Sequence, residues 1–184
     1  MKFPGAEPRT FKNVAADRMY RIVEGKGLKE WPGIYGARAP LPPATARPQA
    51  GRRLVDAIPA AARGHGRWLL VDLYATWCEA CVRANPRLEA LAAEGALDVV
   101  GVSVEPKDDD GAARAWAARH DVRHRLLAYD AGRAAAVAEL VGDSPPLPST
   151  IVLDAASGRV VWHGAGLPTR SQLARWRWEA GATP

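Results

Sequence analysis

Two cysteines, Cys78 and Cys81, offer the clearest chemistry in this sequence of 184 residues. They are the only cysteines, and two residues separate them, a spacing typical of a redox pair rather than of a structural framework. The pair follows the near-continuous apolar run Trp68–Tyr74 and stands where a helical pattern begins. Cys78 is therefore predicted at a helix N-terminus, where unpaired N–H groups and the helix dipole favour the thiolate. We predict that Cys78 is the nucleophile, and that the more buried Cys81, one turn further on, resolves the mixed disulfide.

Other uses of a cysteine pair fit the sequence less well. A zinc site needs two further ligands, and haem attachment needs a histidine directly after the second cysteine, where Val82 stands. Two inert, buried cysteines remain an alternative, but it leaves their position between a strand and a helix unexplained. We therefore predict redox chemistry and no bound metal. The four histidines are isolated and show no ligand spacing to the cysteines: His65, His120, His124 and His163.

Strand and helix patterns alternate in the rest of the chain, which predicts an α/β fold with a central mixed β-sheet flanked by helices. The run Trp68–Tyr74 is typical of a central strand buried on both faces, and Pro86 should kink the helix that follows the cysteines. The last two strands are predicted to form a hairpin. The predicted strands cover residues 68–74, 97–104, 125–129, 150–154 and 159–163, and the predicted helices cover residues 79–94, 109–120, 131–140 and 171–178.

The chain is predicted to divide into an N-terminal extension, residues 1–50, and a folded domain, residues 51–184. Proline and glycine interrupt every potential periodic segment of the extension, in which residues 11–23 could hold a short helix. The formal charge of +5 comes from arginines scattered among alanines. This distribution is typical of a solvated surface, so no nucleic-acid partner is expected.

The sequence contains no apolar run approaching the ~20 residues that span a bilayer. Its first residues also lack the apolar stretch of a secretory signal. As it stands, the sequence therefore indicates a cytoplasmic protein. If a leader was removed, the alternative is a periplasmic or other extracytoplasmic location.

Two motifs carry a resemblance to a known family. Residues 71–81, Val-Asp-Leu-Tyr-Ala-Thr-Trp-Cys-Glu-Ala-Cys, resemble the active-site segment of the thioredoxin superfamily, and residues 75–78 are most similar to its TlpA/ResA-type branch. Residues 147–154 resemble the second family motif, a cis-proline followed by a strand. The resemblance extends over residues 38–178. It implies a thioredoxin-like fold for the domain and the activity of a thiol–disulfide oxidoreductase.

The resemblance also implies roles for residues around the cysteines. Trp77 would flank the nucleophile and shield one side of the disulfide. Pro148 would follow a cis peptide bond, and the backbone of Leu147 would pair with that of an incoming substrate. Glu79 and Ala80 would tune the site, because the Glu79 charge opposes thiolate formation, to a modest extent at an exposed position. We expect a reducing or mildly oxidising couple.

Asp72 is the one acidic residue on the apolar strand before the cysteines. Thioredoxins carry a buried acid at this position, beneath the second cysteine, and burial without a cation raises the pKa of a carboxyl group. The resemblance thus implies that Asp72 accepts and returns the Cys81 proton near neutral pH. The alternative is an aspartate hydrogen-bonded at a strand edge. The sequence departs from the family at Ala84, where TlpA/ResA-type proteins often carry an acid, and by the absence of lysine from residues 99–104.

Three functions compete. Reduction of protein disulfides is the prediction. A peroxide-reducing redoxin is an alternative, but its Pro-x-x-x-Thr-x-x-Cys pattern is absent, because Thr76 stands two residues before Cys78 and Asp72 occupies the proline position. Copper delivery is a second alternative, although copper chaperones of this fold use a wider cysteine spacing and a distant histidine, for which His163 on the late hairpin is the only candidate.

The predicted reaction requires two kinds of partner, a protein with a disulfide and an upstream electron-donor protein. The sequence carries no glycine-rich fingerprint for a nucleotide or flavin. We therefore expect no bound cofactor beyond a redox-active disulfide, and we expect a monomer.

Overall fold

A computed structural model describes the chain over residues 20–23, 27–30, 48–95 and 97–179. The chain divides into two compact units, Met1–Pro40 and Leu41–Pro184. In the first unit, strands β1 (Tyr20–Val23) and β2 (Gly27–Glu30) pair in antiparallel register. The short helix predicted over residues 11–23 is therefore wrong for residues 20–23, because tyrosine, isoleucine and valine favour extended backbone. Residues 11–19 lie outside the described residues.

The second unit alternates strands and helices after a first helix that sequence patterns did not predict. That helix, α1, begins at Pro48, a residue suited to the first turn because its missing N–H has no intrahelical partner there. The predicted division of the chain at residue 50 stays a prediction. The elements in order are α1 (Pro48–Ala57), β3 (Trp68–Tyr74), α2 (Glu79–Ala93), β4 (Asp98–Ser103), α3 (Asp110–Arg119), β5 (Arg125–Leu127), α4 (Ala131–Val141), β6 (Ser149–Asp154), β7 (Val160–Ala165) and α5 (Arg170–Glu179).

The five strands of this unit form one mixed sheet in the spatial order β5-β4-β3-β6-β7. Strand β4 is parallel to both β3 and β5, whereas β6 is antiparallel to both β3 and β7. Every residue of β3 is buried, as expected of a central strand covered on both faces. The predicted mixed sheet flanked by helices is confirmed. From residue 68 onward, each predicted strand or helix begins and ends within two residues of the observed boundaries.

Side chains alternate between the two faces of β3, and different helices cover each face. Leu69, Val71 and Leu73 pack into one apolar cluster with residues of α1 and α4. On the opposite face, Leu70 packs with residues of α2 and α5, and Tyr74 packs with both cysteines. Within the residues that the structure describes, no helix is both long and apolar enough to cross a membrane.

Candidate active site

Cys78 and Cys81 form a disulfide at the N-terminus of α2, with their Cα atoms 5.3 Å apart. Cys78 is the N-cap residue, and its Sγ accepts a hydrogen bond from the backbone N–H of Cys81 at 3.1 Å. Cys81 is fully buried, whereas Cys78 is 4 % exposed, which confirms the predicted order of burial. The start of the helix therefore directs an N–H group at the sulfur of the more accessible cysteine, where it and the helix dipole favour negative charge.

The floor of the site is aromatic. Tyr74 and Trp116 stack with their ring centroids 5.2 Å apart, and both belong to the apolar cluster that contains Cys78 and Cys81. Trp116 comes from α3, so the cysteine pair lies where β3, α2 and α3 meet. Both cysteines are buried in this apolar cluster, and of the two only Cys78 retains any exposure.

Trp77 lies beside Cys78 and is 65 % exposed, the one large apolar side chain so exposed in the described part of the chain. Its indole Nε1–H donates to Oε2 of Glu105 at 2.8 Å. Exposed aromatic side chains with one polar contact are typical of protein-binding surfaces. Sequence reasoning predicted the position of Trp77 but missed Glu105.

The Leu147–Pro148 peptide bond is cis, as predicted from the second motif. Leu147 is half-buried and packs against the cluster that contains both cysteines, so the chain segment before β6 lies beside the disulfide. Ser149, at the start of β6, donates its hydroxyl to the Pro146 carbonyl at 2.5 Å. Tertiary packing thus brings Leu147, from a distant part of the sequence, against the cluster that contains the cysteine pair.

Asp72 is buried on the central strand, on the face that α2 covers, and only 2 % of it is exposed. Its strand neighbours are Thr150 on β6 and Gly101 on β4, and Oδ1 has no hydrogen-bond partner among the residues described. Burial raises the pKa of Asp72 to about 8. The alternative of an aspartate at a strand edge is wrong, because β3 lies in the middle of the sheet.

The residues between and after the cysteines occupy the first turns of α2. Glu79 is exposed and Ala80 is half-buried against the cysteine cluster. Ala84 packs into the apolar cluster beneath α2, so the position where relatives often carry an acid is apolar here. Asp72 is the acidic residue that this face of the sheet presents to α2.

No group of three histidine, cysteine or carboxylate side chains within the described ranges has the arrangement of a metal site.

His124 forms a side-chain contact with Glu89 on α2. Its Nδ1 lies 2.6 Å from Oε1 of Glu89 on α2, and burial lowers its pKa although Glu89 opposes that shift. The same carboxylate oxygen accepts the backbone N–H groups of Arg123 and His124. This contact, which sequence reasoning missed, joins α2 to the segment before β5.

Asp108, on the loop between β4 and α3, was also not predicted from the sequence as a site residue. Its carboxylate accepts hydrogen bonds from the backbone N–H of Thr76 at 2.9 Å, the Thr76 hydroxyl at 2.5 Å and the Ser103 hydroxyl at 2.7 Å. A signal was available, because the carboxyl ends of two adjacent parallel strands meet at one edge of a sheet. Polar residues after β3 and after β4 were therefore candidates for mutual contact.

A disulfide at the start of a helix, directly after the central strand of a mixed sheet and beside a cis-proline, defines a protein of the thioredoxin fold with an active-site cysteine pair. Comparison with known proteins agrees with this class. The chain belongs to the AhpC/TSA family, whose model matches residues 49–163, more than half of the chain. The resemblance to the thioredoxin superfamily is confirmed.

Two curated relatives are similar to this chain over part of their length. It is 39% identical over 98 residues to the thiol:disulfide interchange protein DsbE homolog of Paracoccus denitrificans, covering 53% of this chain and 50% of that protein. It is 30% identical over 86 residues to the thiol:disulfide interchange protein CycY of Rhizobium leguminosarum bv. viciae, covering 47% of this chain and 44% of that protein. The chain thus spans about half the length of these relatives.

A solved structure supports the fold assignment. The crystal structure of a thiol:disulfide interchange protein of the thioredoxin family from Chlorobium tepidum TLS aligns with a TM-score of 0.50 at 20% identity. The alignment covers 66% of this chain and 83% of that one.

Proposed function

We propose that this protein is a thiol–disulfide oxidoreductase that uses the Cys78–Cys81 pair to reduce disulfides in other proteins. The observation that carries the proposal is the position of Cys78 at the N-cap of α2. There its sulfur accepts a hydrogen bond from a helix N–H, and Cys78 is the more accessible of the two cysteines. The similarity to two proteins named for thiol:disulfide interchange supports the same reaction.

The reaction starts from the reduced pair. The Cys78 thiolate attacks one sulfur of the substrate disulfide, the substrate S–S bond breaks, and the released substrate thiolate takes up a proton. The Cys81 thiol then loses its proton and attacks Cys78 Sγ, which breaks the mixed disulfide and releases the second substrate thiolate. Two electrons pass from the pair to the substrate, one proton comes from solvent and one from Cys81, and the Cys78–Cys81 disulfide remains.

Asp72 is proposed as the acceptor of the Cys81 proton. The carboxyl group is buried on the strand face beneath α2, the helix that carries Cys81, and burial raises its pKa to about 8. A group with this pKa exchanges protons readily with a thiol near neutral pH. In the reverse reaction it returns the proton to the leaving Cys81.

Trp77, Leu147 and Pro148 are proposed to receive the substrate polypeptide. The exposed indole of Trp77 offers apolar contact beside Cys78. Leu147, which precedes Pro148, packs against the apolar cluster that contains both cysteines. The backbone of Leu147 would pair with an extended substrate segment, as in β-strand addition. Glu79 and Ala80 adjust the thiolate from the first turn of α2.

Turnover requires an electron donor, because the oxidised pair must be reduced after each cycle. We propose a dithiol protein as that donor and a monomeric form for this enzyme.

Cytoplasmic location, the first interpretation of the sequence, receives no support from relatives named for disulfide interchange. We propose the extracytoplasmic alternative, since disulfides persist in oxidising compartments. The division into an extension of residues 1–50 and a catalytic domain of residues 51–184 belongs to the same proposal.

Three assays on purified protein test this function. We expect the reduced protein to catalyse dithiothreitol-dependent reduction of insulin, whereas Cys78→Ser abolishes catalysis. Consumption of hydrogen peroxide at a comparable rate would instead assign a peroxide-reducing redoxin. Tight stoichiometric binding of Cu(I) by the reduced protein, without insulin reduction, would assign copper delivery. A wild-type protein inactive with insulin and with other protein disulfides would overturn the proposal.

A further inference from the structure

The loop between β4 and α3 contacts Thr76 and Trp77, the two residues that precede the proposed nucleophile Cys78. Asp108 on this loop is 2 % exposed, and its two carboxylate oxygens accept hydrogen bonds from Thr76 and Ser103. Glu105 on the same loop accepts the indole N–H of Trp77 at 2.8 Å. None of these contacts follows from the cysteine motif, and the thiol–disulfide chemistry proposed above uses none of them directly.

The contacts of Asp108 restrain both the backbone and the side chain of Thr76. Oδ2 accepts the backbone N–H at 2.9 Å and Oδ1 accepts the hydroxyl at 2.5 Å. Hydrogen bonds to a carboxylate are about twice as strong as neutral ones. Thr76 belongs to the turn that joins β3 to α2, in which the N–H of Cys78 donates to the carbonyl of Ala75 at 2.9 Å. Asp108 therefore holds this turn at Thr76, two residues before Cys78.

The loop is itself held in place. The backbone carbonyl of Asp108 accepts the N–H of Tyr129 at 2.8 Å, and the N–H of Val104 donates to the carbonyl of Tyr74 at 3.1 Å. The Ser103 hydroxyl accepts the N–H of Glu105 at 3.1 Å while it donates to Asp108. The carboxylate of Asp108 thus lies on a rigid support between the ends of β3 and β4, as a positioning group requires.

We propose that Asp108 and Glu105 are positioning residues that hold the turn before Cys78. Asp108 keeps the Cys78 sulfur at the N-terminus of α2, and Glu105 keeps the Trp77 ring in one orientation beside it. This inference rests on the proposed function, since it assigns a role to these residues in presenting the same nucleophile. Neither residue exchanges protons or electrons with the substrate.

The test of Asp108 uses two variants and a neighbouring control. Asp108→Ala removes all three hydrogen bonds, whereas Asp108→Asn retains an oxygen for the Thr76 N–H and the Ser103 hydroxyl and offers an N–H to the Thr76 hydroxyl. Asp109→Ala removes the side-chain cap of α3, an acceptor for the N–H of Ala112, without touching Thr76. The cap variant therefore controls for damage to this part of the fold.

The measurements on Asp108 are made on fully reduced protein and need no protein substrate. They are the pKa of Cys78, from thiolate absorbance, and its rate of alkylation by iodoacetamide at neutral pH. For Asp108→Ala we expect the pKa of Cys78 to rise toward the ~8.5 of a free thiol and alkylation to slow by about tenfold. Asp108→Asn recovers most of that loss, and Asp109→Ala leaves both values unchanged.

Two results would overturn the role of Asp108. One is a folded Asp108→Ala protein with the Cys78 pKa and alkylation rate of Asp109→Ala. The other is a folded Asp108→Asn protein as impaired as Asp108→Ala, because the charge rather than the hydrogen bonds would then be the active feature. If Asp108→Ala does not fold by circular dichroism, Thr76→Val, which removes only the hydroxyl, takes its place and must slow alkylation by at least about twofold.

Glu105 is tested by its effect on substrate recognition. We expect Glu105→Ala to raise KM for insulin by about threefold, with the pKa of Cys78 unchanged, and Glu105→Gln, which keeps an acceptor for the Trp77 N–H, to restore KM. An unchanged KM in Glu105→Ala would remove Glu105 from the proposal. If the wild-type protein reduces no disulfide, the proposed function fails, while alkylation still decides whether Asp108 positions Cys78.

Discussion

The backbone N–H of Cys81 points at Sγ of Cys78, 3.1 Å away, so the side chain of Cys78 caps the helix that carries Cys81. This donor belongs to the first turn of α2 and is shared between Cys78 Sγ and the Cys78 backbone carbonyl, which lies 3.1 Å away. When the disulfide is reduced, the same N–H is available to a thiolate on Cys78 but not to one on Cys81. We therefore expect the Cys78 thiol to be the more acidic of the two in the reduced protein, because of its place at the start of the helix.

Single cysteine substitutions should separate the two roles. We expect Cys81→Ser to accumulate a mixed disulfide between Cys78 and a protein substrate, because the resolving thiol is absent. We expect Cys78→Ser to trap almost none, since Cys81 is fully buried. Mass spectrometry after incubation with scrambled insulin measures the adducts, and Cys78→Ser/Cys81→Ser provides the blank. Trapping by Cys81 alone would reverse the assignment.

Replacement of Asp72 by asparagine should stabilise the protein in a pH-dependent manner. Burial raises the pKa of Asp72 to about 8, against ~3.9 in an unfolded chain. The folded protein binds the extra proton between these values, so the contribution of Asp72 to the free energy of unfolding is most favourable below about pH 4 and falls until about pH 8. For Asp72→Asn we expect that decline to flatten, with a gain of about 2–5 kcal/mol above pH 8.

Urea denaturation from about pH 4 to 9 measures this effect. Asp98→Asn is the matched control, because Asp98 lies on the neighbouring strand and its amide replacement still accepts the Gly66 N–H. The control should keep the slope of the wild-type protein. Parallel pH profiles for wild type and Asp72→Asn would mean that Asp72 does not titrate as its burial implies.

The same Asp72→Asn variant should exchange disulfides more slowly. Loss of a proton acceptor typically costs a factor of ~100 or more in the step that it serves, and here that step is the attack of Cys81 on the mixed disulfide. The check is the single-turnover rate of mixed-disulfide resolution from about pH 6 to 9. A rate equal to that of wild type throughout would remove the catalytic role.

Removal of the Trp77 ring should weaken substrate binding without unfolding the protein. The side chain is 65 % exposed, so Trp77→Ala should change the free energy of unfolding by no more than about 0.5 kcal/mol. Exposed tryptophans at binding surfaces contribute more than 1 kcal/mol, which predicts a rise in KM for insulin of about tenfold. Trp77→Phe retains an aromatic ring and serves as the comparison. Unchanged KM in both variants would exclude Trp77 from the binding surface.

The contact between Glu89 and His124 should contribute to stability. Glu89 Oε1 accepts the side-chain N–H of His124 and two backbone N–H groups, so Glu89→Ala leaves the buried ring N–H of His124 unpaired and should cost about 2–3 kcal/mol. Glu89→Gln keeps one acceptor oxygen and should cost less. Glu139→Ala breaks an exposed ion pair with Arg53 and should cost less than about 1 kcal/mol. Equal losses in urea denaturation for Glu89→Ala and Glu139→Ala would contradict this interpretation.

Local sequence patterns predicted most of the fold and the centre of the site. A run such as Trp68–Tyr74 is typical of a strand buried on both faces, and two cysteines at the start of a helix are brought into contact by the helix itself. The isomer before Pro148 followed from a motif of adjacent residues. Helix α1 was missed because Pro48–Ala57 carries a proline and a glycine, and its packing against α4 rather than its composition stabilises it.

By itself, the sequence determined the spacing of Cys78 and Cys81, their place between a strand and a helix, and the presence of an acid on the central strand. These features depend on residues close together in the chain, where backbone geometry leaves few choices. Only the tertiary structure decided that Asp72 lies in the middle of the sheet, with no partner for Oδ1 in the described part of the chain, and that Asp108 binds Thr76. Those contacts depend on which strands pair and in which register, and pairing is set by the packing of the whole domain.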